Sequence, residues 1–148
     1  MGKFRNSALG AVTLSIGLGL ATMSIAGKTL PLPEGTTVVA PDPSVPAEFA
    51  NFVGIWNGKT PKGFDTTFVV TNMTAQGKAT CIYAWDIGAE KGNTGAKDCS
   101  VSAGVLRVPY PYGKNNPANL AATLDQKKLG FTYFANSFSE SWWMTRSK

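Results

Sequence analysis

From Phe52 to Arg146 the chain is a succession of short runs rich in β-branched and aromatic residues, each broken after about ten residues by glycine, proline, asparagine or aspartate. No stretch carries the apolar recurrence of a long helix, and neither heptads nor internal repeats occur. A chain punctuated this way buries a core only by stacking or closing antiparallel strands. Phe52-Val53-Gly54-Ile55-Trp56-Asn57-Gly58 reads as the opening strand, followed by a turn from Lys59 to Asp65 that contains Pro61 and Gly63. Thr66 to Met73 is a second strand by composition. Ala79 to Trp85 then alternates, with Cys81, Tyr83 and Trp85 on one face and Ile82 and Ala84 on the other. The turn Ala75-Gln76-Gly77-Lys78 is so short that these two runs must be antiparallel neighbours.

Asp86 to Asp98 is polar, holds Gly88, Gly92 and Gly95, and reads as the longest loop of the domain, a candidate lid or binding loop. Val101 to Val108 gives the next strand, with Gly104 permitting a turn or bulge. Tyr110-Pro111-Tyr112-Gly113 is not expected in a central strand, because proline has no donor for a ladder; it reads as a rigid aromatic corner. After a turn at Asn115-Asn116-Pro117 come three closing strands: Leu120 to Leu124, Leu129 to Phe134 and Ser141 to Arg146. The turns between them fall at Asp125 to Lys128 and Asn136 to Ser139. About seven or eight strands joined to their nearest neighbours predict an all-β fold, an antiparallel up-and-down β-barrel, with a two-sheet β-sandwich as the alternative.

The first third of the chain stands apart from this pattern. Lys3 and Arg5 precede an apolar run from Ala8 to Ala26, and Ser24-Ile25-Ala26 supplies the small residues of a cleavage site, so residues 1–26 read as a signal peptide cut after Ala26. The mature protein is then expected in the periplasm or secreted, with no membrane anchor after cleavage. Residues 27–46, containing Leu30-Pro31-Leu32-Pro33 and Ala40-Pro41-Asp42-Pro43, read as a Pro-rich flexible linker. The barrel domain is expected over 47–148, opening on a short helical turn at 46–51 with Phe49 turned inward. Cys81 and Cys99 are the only cysteines, and in an oxidising compartment they are expected to pair.

Gly54-Ile55-Trp56 in the opening strand, together with Arg146 in the last, resembles the signature of the calycin superfamily, the lipocalin-like and avidin-like barrels. The runs Phe52 to Gly58, Thr67-Phe68-Val69-Val70 and Ile82-Tyr83-Ala84-Trp85 also look like a small exported bacterial domain, found alone or appended to hydrolase-like enzymes. The resemblance covers about Glu48 to Arg146 and implies that Trp56 plugs the closed end of a barrel while Arg146 packs across its ring, a cation–π contact worth about 0.5–2 kcal/mol. The biotin-ring residues of avidins have no recognisable counterpart here, so biotin is not implied.

The chain contains no histidine, which removes Ser-His and Cys-His nucleophile pairs and most transition-metal sites. Two cysteines without histidine do not fill a tetrahedral zinc site, and no catalytic residue, metal or cofactor is expected. Asp65, Asp86, Asp98 and Glu140 are the carboxylates available for a glycosidase-type pair, but they fall in turns or at strand ends, where solvated charge is the ordinary explanation. Of the 14 basic residues, Lys3 and Arg5 lie in the export signal, which leaves 12 against 9 acidic ones, scattered singly apart from Lys127-Lys128. Nucleic acid is therefore not an expected partner. The aromatics remain. Tyr83, Trp85, Tyr110, Tyr112, Tyr133 and Trp142 are the candidate ligand-binding residues, with Gly54, Trp56 and Arg146 as the closure set. Adjacent Trp142 and Trp143 must point to opposite faces of their strand. The expectation is a non-catalytic exported domain that holds a small apolar or aromatic ligand in its barrel. The alternative is a protein-interaction module, an enzyme inhibitor or accessory domain, using surface aromatics and the 86–98 loop to engage an exported protein partner.

Overall fold

The computed structural model describes residues 27–112, 116–135 and 137–148, with only the backbone described for 110–112 and for 116 and 117. The expected export signal lies outside the described residues, as do Asn115 and Asn136 of the two expected turns. A short helix, α1 (Ala47–Ala50), leads into β1 (Gly54–Lys59), β2 (Asp65–Met73), β3 (Lys78–Asp86), β4 (Lys91–Asn93), β5 (Lys97–Ser102), β6 (Val105–Tyr112), β7 (Asn116–Asp125), β8 (Lys128–Ala135) and β9 (Phe138–Arg146).

Every pairing is antiparallel. Around the ring the order is β1, β2, β3, β5, β6, β7, β8, β9, and β9 returns to β1 through Trp56–Arg146, Asn57–Thr145 and Gly58–Met144. The result is one closed eight-stranded up-and-down barrel, not a two-sheet sandwich, with β4 as an extra strand on the upper end of β3. Closure removes the sheet edges that a sandwich would expose. Inward positions alternate as the pleat demands: Phe68 and Val70 on β2, Cys81 and Tyr83 on β3, Leu106 and Val108 on β6, Leu129 and Phe131 on β8, and Trp142 and Met144 on β9 share one buried cluster.

Three sequence expectations are revised. The strand expected over Val101 to Val108 is two strands, because Ala103 and Gly104 both take positive φ (50° and 73°) and turn the chain back between Ser102 and Val105. A two-residue turn with both residues left-handed matches the twist of the flanking strands. Tyr110, Pro111 and Tyr112, expected outside any central strand, belong with Pro109 to β6 and pair with β7 from Asn116 to Asn119; Gly113 lies outside the described residues. They are tolerated because β6 pairs with β5 only through Arg107, so the prolines occupy a stretch with a ladder on one side alone.

The third revision concerns residues 27–46. Their prolines keep them extended, but the segment is laid down the outer wall of β1 and β2. Leu30 N–H donates to Thr67 Oγ1 (2.9 Å), Asn57 Nδ2 donates to Thr29 Oγ1 (2.6 Å), and Thr67 Oγ1 donates to Asn57 Oδ1 (2.9 Å). Lower down, the ladder between β2 and β3 shifts register between Val70 and Asn72, and Val39 N–H donates to the Thr71 carbonyl (2.7 Å). The outward-facing Val69, Ile82 and Ala84 are buried along with Leu30. A strip of apolar wall that would otherwise face water is thereby covered.

At the lower end the chain is plugged by Phe52, Val53 and Trp56, all buried; Phe49, the expected inward residue of the helical turn, packs against this cluster only in part. Trp56 Nε1 donates to the Phe52 carbonyl (2.9 Å), so the buried indole leaves no polar atom unpaired. The Arg146 guanidinium lies 4.3 Å from the Trp56 ring centroid and donates to the carbonyls of Val53 and Asn51, the latter at 2.6 Å. Gly54 has φ +142°, and a Cβ there would overlap Arg146 Nη1. The expected closure set of Gly54, Trp56 and Arg146 is thus one contact unit. The expected disulfide joins Cys81 and Cys99 with Cα atoms 6.1 Å apart, linking neighbours β3 and β5 inside the wall rather than tethering a loose loop. A disulfide is consistent with an oxidising environment.

Two outcomes test these contacts. Trp56→Ala should cost about 3–5 kcal/mol in chemical denaturation through the cavity it leaves, and Arg146→Ala about 1 kcal/mol, since one cation–π contact is lost. Gly54→Ala should exceed Arg146→Ala, because it both displaces the guanidinium and strains the backbone. If Trp56→Ala is no worse than Arg146→Ala, Trp56 is not the plug. The second outcome concerns Asp65, whose carboxyl is held below its usual value chiefly by the Lys59 ammonium at 2.7 Å and further by the Lys28 N–H. A lowered folded pKa stabilises above the unfolded value and is lost as pH falls through the folded one. Asp65→Asn should therefore lower stability at neutral pH by about 0.5–1 kcal/mol, and the gap to wild type should close as pH drops below the ordinary value of 3.8.

Candidate functional site

Above the plug the interior is filled by rings. Phe131 lies at its centre, with ring centroids 5.1 Å from Phe68, 5.2 Å from Tyr83 and 5.0 Å from Trp142. Trp142 is fixed from two sides. Its Nε1 donates to Thr66 Oγ1 (3.0 Å), and that hydroxyl donates to the Gly58 carbonyl (3.1 Å). Gly58 is required beside it, since a Cβ there would stand 3.2 Å from Trp142 Cδ1 and 2.9 Å from Met144 Cγ.

The filling stops at this layer. At the upper end, opposite Trp56, a cavity of about 390 Å³ opens to solvent with Tyr83 and Trp142 at its base. Trp85, Ile87 and Glu90 come from the top of β3 and the turn after it; Thr60, Lys62 and Phe64 come from the β1–β2 turn. Tyr133, Phe138 and Glu140 complete the wall from β8 and β9. Tyr133 and Glu140 are register partners, and the Tyr133 ring lies 6.5 Å from that of Phe138. Tyr83 and Trp85 stack at 5.8 Å. Trp85 also rests on Gly92, where an added Cβ would come within 2.8 Å of the indole.

The segment 86–98, expected as the longest loop of the domain, is mostly built into the wall. Ile87 N–H donates to the Glu90 carbonyl (2.9 Å), Lys91 pairs with Asp86 (3.0 Å), and β4 pairs with β3 from Ala84 to Asp86. Where β4 hands over to β5, Thr94 replaces the missing ladder: its N–H donates to the Tyr83 carbonyl (2.8 Å), and the Tyr83 N–H donates to its Oγ1 (3.0 Å). Tyr83 is thereby held by its backbone in the base of the cup.

Of the six ligand-binding residues expected from the sequence, the fold brings Tyr83, Trp85, Tyr133 and Trp142 into this one cavity. Tyr110 and Tyr112 lie on β6, in register with Ala118 and Asn116, and their side chains are outside the described residues. Phe64, Phe138, Ile87, Thr60, Lys62 and Glu90 were not anticipated. Only Phe138 carried a usable signal, because its parity with Glu140, Trp142 and Met144 points it inward. The others arrive through turns whose common end depends on barrel closure.

The carboxylates separate into two groups. Asp65 and Asp86 face each other across β2 and β3, but each has its own lysine, Lys59 at 2.7 Å and Lys91 at 3.0 Å. Asp86, like Asp65, is held below the usual carboxyl range, first by its lysine and then by the Gly88 N–H. Asp98 sits exposed on β5. Glu140 alone of the four reaches the cup. Among the described residues, no group of three or more potential metal ligands is present.

Trp142 and Trp143 do diverge. Trp143 is 53% exposed on the outer wall, against Gly130 and beside Thr123, Thr132 and Ser141, where a shallow cleft of about 260 Å³ lies. Phe134, 43% exposed, shares the outward face of β8 with Gly130 and Thr132. Comparison with protein-family models, curated proteins and solved structures finds no match to this chain.

Proposed function

We propose that this chain is a non-catalytic binding domain of an oxidising compartment outside the cytoplasm, exported by its first 26 residues, and that it holds a small, mainly apolar or aromatic molecule in the cup at the open end of the barrel. The calycin-like organisation, with a plugged end and an open end, supports the reading. The observation that carries it is the cavity of about 390 Å³ walled by Tyr83, Trp85, Tyr133 and Trp142 above a sealed floor. Cavities that take small ligands run from about 300 to 1,000 Å³ and combine apolar and aromatic walls with a few polar groups. The cup is at the small end of that range. It suits one compact molecule lying against the rings, rather than a long chain threaded through the barrel. A base already fixed by hydrogen bonds through Thr66 and Thr94 is preorganised, which lowers the ordering cost of binding.

The neutral dye N-phenyl-1-naphthylamine tests this directly. Saturable fluorescence enhancement with one site per chain is expected, and Trp85→Ala should weaken it roughly tenfold by removing a ring worth about 1–2 kcal/mol. Absence of saturable binding, or a Trp85→Ala variant that binds as wild type, overturns the proposal. One observation favours a second reading, a surface for an exported protein partner: the outward exposure of Trp143 and Phe134. Under that reading Trp143→Ala abolishes partner recovery from the exported fraction and leaves dye binding in the cup intact; unchanged recovery counts against it.

A further inference from the structure

Glu140 is a charge on the cup wall without an ion-pair partner among the described residues. It stands on β9 between Phe138 and Trp142 on the inward face, opposite Tyr133, and is partly buried. The ion pairs among the described residues are Lys59–Asp65 and Lys91–Asp86, and neither involves it. No hydrogen bond from a described group reaches its carboxylate. Of the other charges lining the cup, Lys62 lies on the β1–β2 turn and Glu90 on the β3–β4 turn, both exposed. Among the described residues of the lining, two carboxylates stand against one ammonium.

Resting on the cup reading, we infer that the ligand is a small organic cation, an amine or quaternary ammonium with an apolar body, and that Glu140 is its counter-charge. Two independent properties of the site have the same sign. A carboxylate covered by a neutral ligand loses water and gains nothing, whereas a cation compensates it. Aromatic faces carry negative potential and attract cations, most strongly at tryptophan, and Trp85, Tyr133, Phe138 and Trp142 surround the same space. An anionic ligand would face both Glu140 and the ring faces, with the exposed Lys62 as the one cation among the described lining residues in its favour. A metal ion is disfavoured because hard cations need several converging oxygens, and among the described residues the cup supplies two carboxylates and no cluster of three potential ligands. The remaining fit is a weakly hydrated cation whose alkyl or aryl groups lie on the rings.

The test uses three probes of similar shape on the whole chain, followed by tryptophan fluorescence or calorimetry: phenyltrimethylammonium, its neutral isostere tert-butylbenzene, and benzoate. Phenyltrimethylammonium should bind roughly tenfold or more tightly than tert-butylbenzene, with benzoate weakest. Glu140→Gln should remove most of that preference while keeping the affinity for the neutral probe, and its far-ultraviolet dichroism and melting should match wild type. Lys62→Ala should leave the order of the three unchanged. If the cation binds no more tightly than the neutral isostere, or the preference survives in Glu140→Gln, the inference is overturned and the cup reading stands. If all three probes and the neutral naphthylamine dye fail to bind, the cup reading itself falls, and the inference with it.

Discussion

The guanidinium of Arg146 fastens the end of the chain to its beginning. It lies over the Trp56 ring at 4.3 Å and takes the carbonyls of Val53 and Asn51, so one side chain of the last strand is bound to three groups of the first segment. Gly54 is the condition for this, because any Cβ there would occupy the place of Nη1. The indole, in turn, holds the Phe52 carbonyl that closes the lower end. A sheet of eight strands has two edges unless its first and last members meet, and exposed edges invite pairing with other chains. The short β1–β9 ladder from Trp56 to Gly58 is therefore reinforced where it is shortest of support, by charge, ring and backbone together.

The same closure divides the interior into two regions with different roles. Below, apolar side chains from all eight strands form one buried cluster around Trp56 and Met144. Above Phe131 the strands no longer match in height. β5 begins only at Lys97, opposite Cys81, while β3 runs on to Asp86. The upper half of β3 is completed instead by β4 and by Thr94, which hydrogen-bonds Tyr83 through both its backbone and its hydroxyl. On the far side of this shortfall, β6 carries Pro109 and Pro111 where it has one neighbour only. The mouth of the barrel has fewer paired strands there, and ring side chains line it. Such a mouth can accept a compact ligand without moving the packed layer beneath it.

Much of this was legible in the residues. Strand alternation placed Cys81, Tyr83 and Trp85 on one face; the turn residues located the β1–β2, β2–β3 and β7–β8 hairpins; and the strict two-residue period separated Trp142 from Trp143. Two cysteines with no histidine left the disulfide as the ordinary pairing. These are local matters, decided within a few residues by dihedral preference, side-chain direction and redox chemistry.

What lay beyond the sequence depended on which distant segments meet. Residues 27–46 have the composition of a linker, and their prolines do keep them extended. Whether an extended segment floats or lies on the wall depends on Thr67, Asn57 and the released Thr71 carbonyl, all far along the chain. The prolines of β6 contradict a central strand only if both sides carry a ladder, and the length of β5 settles that. Phe64, Glu90 and Glu140 line one cavity because two turns and the start of β9 end at the same rim. The sequence by itself determined most of the strands and their faces, since these follow from local periodicity, while the clasp residues came from the resemblance to calycin barrels. The cup, its charge and the covered outer wall were decided by tertiary structure, because closing the ring is what brings residues more than seventy positions apart, such as Thr66 and Trp142, into hydrogen-bonding contact.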